Sequence, residues 1–166
     1  MRNMVLKYLI VGFCVGLGGS LALTSPSHAM EFSQVPTKII IPSADISLEV
    51  KPAKIEFDTW EVRLDAVSFG ESSTLPGNAG NTIVFSHAIP RLFGNLPNVE
   101  VNDTIHVFTD LDWFVYKVTK KQVVNPENIE VLNQVYPYQL TLYTCIGDNY
   151  SQRYVITAEL QASPMM

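Results

Sequence analysis

The stretch QLTLYTCIGDNYSQRYVITAEL, residues 139–160, decides the fold. Apolar and polar residues alternate through QLTLYTC (residues 139–145) and again through RYVITAEL (residues 153–160), which is the period of a half-buried β-strand. The polar loop between the two runs contains a glycine and closes a hairpin. This hairpin puts Cys145 at the end of one strand and Arg153 at the start of the next. The two side chains can therefore meet at one end of a sheet.

Similar β-rich runs precede this hairpin. They cover residues 38–41, 46–50, 60–64, 81–87, 104–108 and 113–124. About eight short strands with turn-rich connections predict an all-β fold. One or two short helices are expected, around residues 92–96 and over residues 125–132, where Asn125 is a candidate N-cap and Pro126 follows it. The periodicity alone leaves both a sandwich and a closed barrel open.

The composition limits the class of protein. Of the 166 residues, 47% are apolar and 16% are charged, which is typical of one folded domain rather than a disordered chain. The formal net charge is −5 and no basic run is interleaved with aromatic residues, which argues against a nucleic-acid partner. No His, Cys, Asp and Glu residues have metal-ligand spacing, and no glycine-rich phosphate loop precedes a helix. We therefore expect neither a metal nor another cofactor.

The first 30 residues have the layout of a secretory leader. Two basic residues precede an apolar run over residues 8–24, and small residues ending at Ala29 follow it. The run is slightly shorter than the ~20 residues that a spanning helix needs. Both a signal peptide cleaved after Ala29 and an uncleaved membrane anchor therefore remain open. The expected organisation is a signal peptide or anchor over residues 1–30, a linker over 31–37 and an extracytoplasmic domain over 38–162.

Cys145 is the one cysteine in the sequence outside this leader, which contains Cys14. An odd cysteine in an exported domain indicates either an intermolecular bridge or a free reactive thiol. Two interpretations of Cys145 remain, a small buried hydrophobe or a nucleophile at a strand end beside a polar loop. An ordinary thiol is only ~3% ionised at neutral pH, so a nucleophile needs a nearby base or cation.

His87 is the best candidate for that base. His28 belongs to the leader, and His106 lies mid-strand between apolar residues, as a structural histidine would. His87 instead ends the most apolar strand and precedes a turn. Arg153 has two interpretations, a surface cation that is solvated or paired with Asp148, or a donor that stabilises an anion on a substrate carbonyl.

Together these pieces resemble the sortase family of exported bacterial cysteine transpeptidases. The resemblance runs over residues 39–160 and rests on IIIPSADISLEV, LPGNAGNTIVFSH, LFGNL with VNDTIHVF, and above all LTLYTC. It maps the catalytic histidine, nucleophile and arginine of the family onto His87, Cys145 and Arg153. The usual glycine-aspartate pair is Asn102-Asp103 here. The loop after the nucleophile is short, so the subclass stays open, and the segment over residues 124–139 is compact, so the preferred sorting motif stays open as well.

The resemblance implies an eight-stranded closed β-barrel and a two-step acyl transfer. Cys145 would attack the carbonyl of a sorting motif of the Leu-Pro-x-Thr-Gly type in an exported protein. An amine from a peptidoglycan precursor or a pilin lysine would then resolve the thioester. His87 would move the protons and Arg153 would hold the oxyanion, while Thr144 and Ser86 are expected to contact the substrate. The protein would work at the bacterial cell surface, secreted or anchored in the membrane by its N-terminal segment.

Two other functions share these features. A cysteine peptidase of the same fold would release its product to water instead of to an amine. A non-catalytic β-barrel surface module would keep Cys145 only as a packing residue. The product formed from a sorting-type peptide separates the three possibilities, since they yield an amide, an acid or nothing.

Overall fold

Ten β-strands form in a computed structural model that describes residues 34–57, 59–133 and 138–163. They are β1 (Lys38–Ile41), β2 (Ile46–Ala53), β3 (Ile55–Glu56), β4 (Thr59–Trp60), β5 (Val67–Gly70), β6 (Asn81–Ser86), β7 (Thr104–Phe108), β8 (Trp113–Val124), β9 (Gln139–Ile146) and β10 (Gln152–Ala162). Short 3-10 helices cover Pro42–Ala44, Phe93–Asn98, Ile129–Leu132 and Asp148–Tyr150. The prediction of an all-β fold with few short helices is confirmed.

Within the described part of the chain, eight of these strands close into a barrel in the order β1-β2-β5-β6-β9-β10-β8-β7. This confirms the closed barrel that the resemblance implied. Most neighbours are antiparallel, but β2 pairs with β5, and β6 with β9, in parallel. Because two parallel neighbours end at the same edge of a sheet, the residues that follow β6 and β9 lie side by side. That edge carries the candidate site.

The barrel interior is an apolar core to which β6 and β9 contribute alternate residues. Val84 and Leu142 belong to this core and are fully buried. Because side chains alternate across a strand, the intervening Phe85 and Tyr143 face the outside of the barrel. There they belong to a second, smaller apolar cluster that also contains Ile83. This outer cluster is the floor on which the candidate site is built.

The strand predicted over residues 60–64 is wrong beyond its first residue. The chain instead forms a two-stranded hairpin from β3 and β4, and an irregular segment then leads to β5. Leu64, which the alternation placed on a buried face, is 61% exposed. The Arg63 guanidinium donates two hydrogen bonds to the Asp65 carboxylate, at 2.9 and 3.0 Å. The Arg63 N–H donates to the Ser68 hydroxyl at 3.2 Å, so this backbone group bonds to a side chain and not to a neighbouring strand.

The helix predicted from Asn125 begins later, at Ile129, and is a 3-10 helix of four residues. The Asn128 N–H donates to the Asn125 carbonyl at 3.0 Å, so the capping signal around Pro126 closes a turn instead of starting an α-helix. A helix this short has little stability of its own and depends on what holds it in place.

The first described residues lie against the barrel. The Thr37 N–H donates to the Phe108 carbonyl at 2.7 Å, and the Gln34 amide donates to the Asp112 carboxylate at 2.9 Å. The leader predicted over residues 1–30, and the first part of the predicted linker, lie outside the described residues. In the part of the chain that the structure describes, no helix has the length and apolar character needed to cross a membrane.

Candidate active site

The structure brings the three predicted catalytic residues to one edge of the barrel. The parallel register aligns Ser86 of β6 with Thr144 of β9, so His87 and Cys145 follow at the same level of adjacent strands. The antiparallel register aligns Cys145 with Arg153 of β10. His87, Cys145 and Arg153 thus form a row across three neighbouring strands, which is called the catalytic row below. Each of the three is partly exposed.

Directly below the catalytic row lies an aromatic floor. Phe85 and Tyr143 precede His87 and Cys145 by two positions, and their rings stack with centroids 5.1 Å apart and 9° between the planes. Trp60 stacks on Phe85 at 5.5 Å and 28°. Such ring pairs contribute about 0.5–1.5 kcal/mol each beyond the area they bury. The stack therefore fixes the surface on which a ligand of Cys145 would lie.

A cleft of about 480 Å³ rises from this floor between two walls. One wall is the β3–β4 hairpin, called the wall hairpin, and the other is the 3-10 helix Ile129–Leu132, called the wall turn. The cleft is lined by Ile55, Thr59, Trp60, Val62, Ile129, Leu132, Tyr143, Cys145 and Arg153. Most of these side chains are apolar, so the cleft suits an apolar ligand whose reactive polar group reaches Cys145 and Arg153.

The wall hairpin is fixed to the barrel through Trp60. Its indole N–H donates to the Glu71 carbonyl at 3.0 Å. The ring lies flat against Gly70, where an added Cβ would come within 2.8 Å of two indole carbons. Only a residue without a side chain allows this close approach.

Tyr143 is not a base for the thiol. Burial raises the pKa of its hydroxyl far above the ordinary range, a charged Cys145 adds to this increase, and the Arg153 cation opposes it only in part. A phenol that stays protonated at neutral pH cannot accept the proton of a nearby thiol. The base expected for Cys145 is therefore not Tyr143, and the proton transfer predicted for His87 stays a prediction.

Arg153 is oriented by the short loop that precedes it. One guanidinium nitrogen donates to the carbonyls of Tyr150 and Gln152, at 2.9 and 3.2 Å. Asn149 and Tyr150 have left-handed backbones, with φ of 54° and 58°, which costs about 1–2 kcal/mol for each such residue. Because a guanidinium carries five N–H donors, the remaining ones are suited to an anionic ligand.

Thr144 and Ser86 lie beneath the catalytic row. Their side chains are 0% and 3% exposed, and the Thr144 hydroxyl donates to the Ser86 carbonyl at 2.7 Å. Among the described residues, the buried Ser86 hydroxyl finds no hydrogen-bond partner. The Thr144 bond ties together the ends of β6 and β9 directly before His87 and Cys145. The substrate contact expected of both residues stays a prediction.

His106 lies away from the catalytic row. It is in the middle of β7, where it is aligned with Ile40 of β1 and Val115 of β8, and two strands separate β7 from β9 in the barrel. The structural role expected of His106 from the sequence stays a prediction. Within residues 34–57, 59–133 and 138–163, no group of three or more His, Cys, Asp or Glu side chains is arranged to hold a metal ion.

Sequence reasoning missed the residues that build the cleft. The signal for Phe85 and Tyr143 was present, because their spacing of two from His87 and Cys145 places all four on one face of the sheet. The place of Trp60 had no such signal, since it depends on the docking of the wall hairpin against a strand further along the chain.

A comparison with protein-family models matches residues 39–161 to the sortase domain. The chain belongs to the sortase family. Over 137 residues it is 26% identical to Sortase A of Bacillus anthracis, an alignment that covers 80% of this chain and 62% of that protein. This sortase therefore spans less than two thirds of the length of the curated relative that it matches. The resemblance stated from sequence is confirmed.

Solved sortase structures share the fold. Sortase A of Listeria monocytogenes is 25% identical with a TM-score of 0.67, and the match covers 79% of this chain and 90% of that one. A Clostridium perfringens Sortase D5 transpeptidase is 24% identical with a TM-score of 0.65, over 75% and 78% of the two chains. Because sortases of different classes match almost equally well, the subclass of this sortase stays open.

Proposed function

We propose that this sortase is a cysteine transpeptidase that cleaves a sorting motif in exported proteins and transfers the acyl part to an amine. The observation that carries the proposal is the catalytic row. It provides one residue for each chemical task, a thiol nucleophile in Cys145, an acid and base in His87 and an oxyanion donor in Arg153. Membership of the sortase family supports sorting-signal substrates and amine acceptors in general.

In the first step, the Cys145 thiol gives its proton to His87, and the resulting thiolate forms a bond to the carbonyl carbon of the scissile peptide. Protonated His87 gives its proton to the departing amine as the C–N bond breaks, which leaves a thioester. The carbonyl oxygen becomes an anion on the way, and Arg153, held by the Tyr150 carbonyl, donates to it.

In the second step, an amine attacks the thioester and His87 takes the proton that the amine loses. The new amide bond forms as the Cys145 thiolate leaves, so the enzyme returns to its starting state. Water in place of the amine gives a peptidase, which is the alternative inferred from sequence. The lysine of a pilin or the amine of a peptidoglycan precursor is the proposed acceptor.

The character of the cleft supports a motif of the Leu-Pro-x-Thr-Gly type. Its aromatic floor and the apolar Ile129 and Leu132 suit an apolar residue upstream of the scissile bond. The leader inferred from sequence supports a position outside the cytoplasm at the bacterial cell surface, either secreted or anchored in the membrane by the N-terminal segment.

Beside the substrate contact proposed for Thr144 and Ser86, Thr144 fits this mechanism as a positioning residue. Since the Thr144 hydroxyl joins the ends of β6 and β9 at 2.7 Å, it fixes the spacing between the strands that carry His87 and Cys145. A nucleophile and its base act together only when they are within hydrogen-bond reach.

The test is product analysis with the full-length chain purified in mild detergent. A Leu-Pro-x-Thr-Gly peptide is incubated with and without triglycine or a lysine amine, and the products are identified by mass spectrometry. We expect an amide product in the presence of the amine. Acid alone in both reactions indicates a peptidase, and no conversion with any such peptide indicates a non-catalytic module.

Matched variants test the residue roles. Cys145→Ala is expected to abolish product formation, and His87→Ala is expected to slow it by about 10²–10⁴-fold, the usual contribution of general acid–base catalysis. His106→Ala is the control for His87→Ala, because His106 lies in β7, away from the catalytic row. Equal losses in the two histidine variants would contradict the role of His87.

A further inference from the structure

Asn81 is a fully buried polar residue at the start of β6, six positions before His87. Its side-chain amide nitrogen donates to the carbonyls of Val131 and Asn133, at 3.3 and 3.2 Å. Its amide oxygen accepts a hydrogen bond from the Thr141 hydroxyl at 2.8 Å. The carboxamide thus joins two barrel strands to the end of the wall turn.

The network continues along β9. The Gln139 amide donates to the Thr141 hydroxyl at 3.0 Å. The Thr141 hydroxyl in turn donates to the Asn81 amide oxygen at 2.8 Å and lies 3.5 Å from the Val131 carbonyl oxygen. Thr141 and Asn81 are therefore each engaged both as donor and as acceptor. Buried polar groups that are satisfied in this way give a single, rigid arrangement.

Among the described residues, the wall turn packs only loosely against the rest of the domain. None of its residues is buried, and Ile129 is 68% exposed. Leu132 is only partly buried where it packs on the outer cluster of Ile83 and Phe85. The bonds from Asn81 to the Val131 and Asn133 carbonyls therefore fix the height of the wall turn above the floor of the cleft. These two hydrogen bonds are called the tether below.

The same strand carries the tether and the proposed base. Alternation along β6 places Asn81, Ile83, Phe85 and His87 on its outer face. At one end of the strand His87 stands beside Cys145, and at the other end Asn81 holds the wall. The aromatic floor lies between Asn81 and the catalytic row, so a substitution at Asn81 leaves the row itself in place.

We propose that Asn81 and Thr141 are positioning residues that set the width of the substrate cleft by holding the wall turn. The proposal rests on the proposed function, because it takes the cleft as the peptide site. Loosening the tether lets the wall turn move away from the floor, so a peptide gains fewer contacts before it reacts. The Michaelis constant for the peptide rises, while the chemistry at Cys145 is retained.

Two substitutions at Thr141 distinguish the effect of its hydroxyl from the effect of the rest of its side chain. Thr141→Val keeps the shape and removes the hydrogen bond, whereas Thr141→Ser keeps the hydroxyl. Asn81→Asp keeps the shape of the amide but removes both donors to the wall turn. Thr82→Val is the matched control, since Thr82 is equally buried in β6 but faces the barrel interior.

The first measurement is hydrogen–deuterium exchange of the amides of residues 129–133 in the full-length chain. We expect about tenfold faster exchange in Thr141→Val and Asn81→Asp, as for local opening after loss of a buried hydrogen bond. Thr141→Ser and Thr82→Val should exchange like the wild type. The second measurement is peptide turnover, where Thr141→Val and Asn81→Asp should raise KM about tenfold and change kcat by less than about twofold, with rescue in Thr141→Ser.

The two measurements keep the proposals distinguishable, because the exchange measurement needs no turnover. Equal exchange in Thr141→Val and Thr141→Ser overturns the tether, and this pair decides the matter if Asn81→Asp does not fold. Faster exchange with an unchanged KM overturns the role in peptide binding. If the wild type converts no peptide, the proposed function and the role in peptide binding both fail, while exchange still decides the tether.

Discussion

Gly70→Ala should undock the wall hairpin. The backbone of Gly70 tolerates alanine, but the new Cβ would lie 2.8 Å from two carbons of the Trp60 indole. Carbon atoms in contact are normally about 3.5–4.0 Å apart, so the indole has to move. Movement breaks the bond from the Trp60 indole to the Glu71 carbonyl, at 3.0 Å, and the stack on Phe85.

The expected change in the free energy of unfolding follows from these contacts. The hydrogen bond contributes about 1 kcal/mol and the ring pair about 0.5–1.5 kcal/mol, so undocking costs roughly 2 kcal/mol. Replacing glycine by alanine in a strand raises the free energy of unfolding by about 0.5–1 kcal/mol. Gly70→Ala should therefore destabilise the protein by about 1 kcal/mol. In a Trp60→Ala background, the same substitution should stabilise it by about 0.5–1 kcal/mol, because the indole is absent.

The assay is urea unfolding of the wild type, both single variants and the double variant. The double-mutant cycle gives the coupling between Gly70 and Trp60, for which we expect about 2 kcal/mol and a change of sign between the two backgrounds. If Gly70→Ala changes the free energy of unfolding equally in both backgrounds, the Trp60 indole does not depend on the missing side chain at Gly70.

Three further substitutions test other parts of the structure. Thr144→Val removes the 2.7 Å hydrogen bond to the Ser86 carbonyl. Urea unfolding should show that the free energy of unfolding falls by about 1–3 kcal/mol, and acylation of Cys145 should slow. Thr144→Ser should keep the stability and the acylation rate of the wild type. The Glu100 N–H lowers the pKa of Asp103, so this carboxylate stabilises the fold above about pH 4 and loses that effect as the pH falls through its lowered pKa. The difference in unfolding free energy between wild type and Asp103→Ala should therefore shrink below about pH 4 in urea titrations, and a difference that grows on acidification would contradict this sign. Asn102 has a φ of 78°, so Asn102→Ala should lower the melting temperature and Asn102→Gly should not.

The catalytic row could be predicted because it depends on local alternation and on strand ends. In the runs 81–87 and 139–145, the period of two puts His87 above Phe85 and Cys145 above Tyr143. Barrel closure did not follow from periodicity, since it depends on the parallel pairing of β6 with β9, across more than fifty residues. The order of motifs in the sortase family supplied that information.

The two walls of the cleft could not be predicted from local sequence patterns, because they are held by tertiary contacts. The alternation over residues 60–64 does not give a strand, because tertiary contacts hold this segment: the Trp60 indole donates to the Glu71 carbonyl and the Arg63 N–H donates to the Ser68 hydroxyl. The capping signal at Asn125 is real but closes a turn, and the wall turn is held instead by Asn81, fifty residues upstream of Val131. Contacts of this kind are fixed by tertiary packing and leave no periodic trace.

The most direct test of the proposed thioester on Cys145 is the intact mass of the full-length chain after mixing with a Leu-Pro-x-Thr-Gly peptide in the absence of an amine. We expect a mass increase equal to the acyl fragment upstream of the scissile bond. Peptide mapping should place the fragment on Cys145, and hydroxylamine should remove it as a thioester requires. An unmodified Cys145 while the peptide is consumed, or product formation by Cys145→Ala, would contradict the proposed thioester.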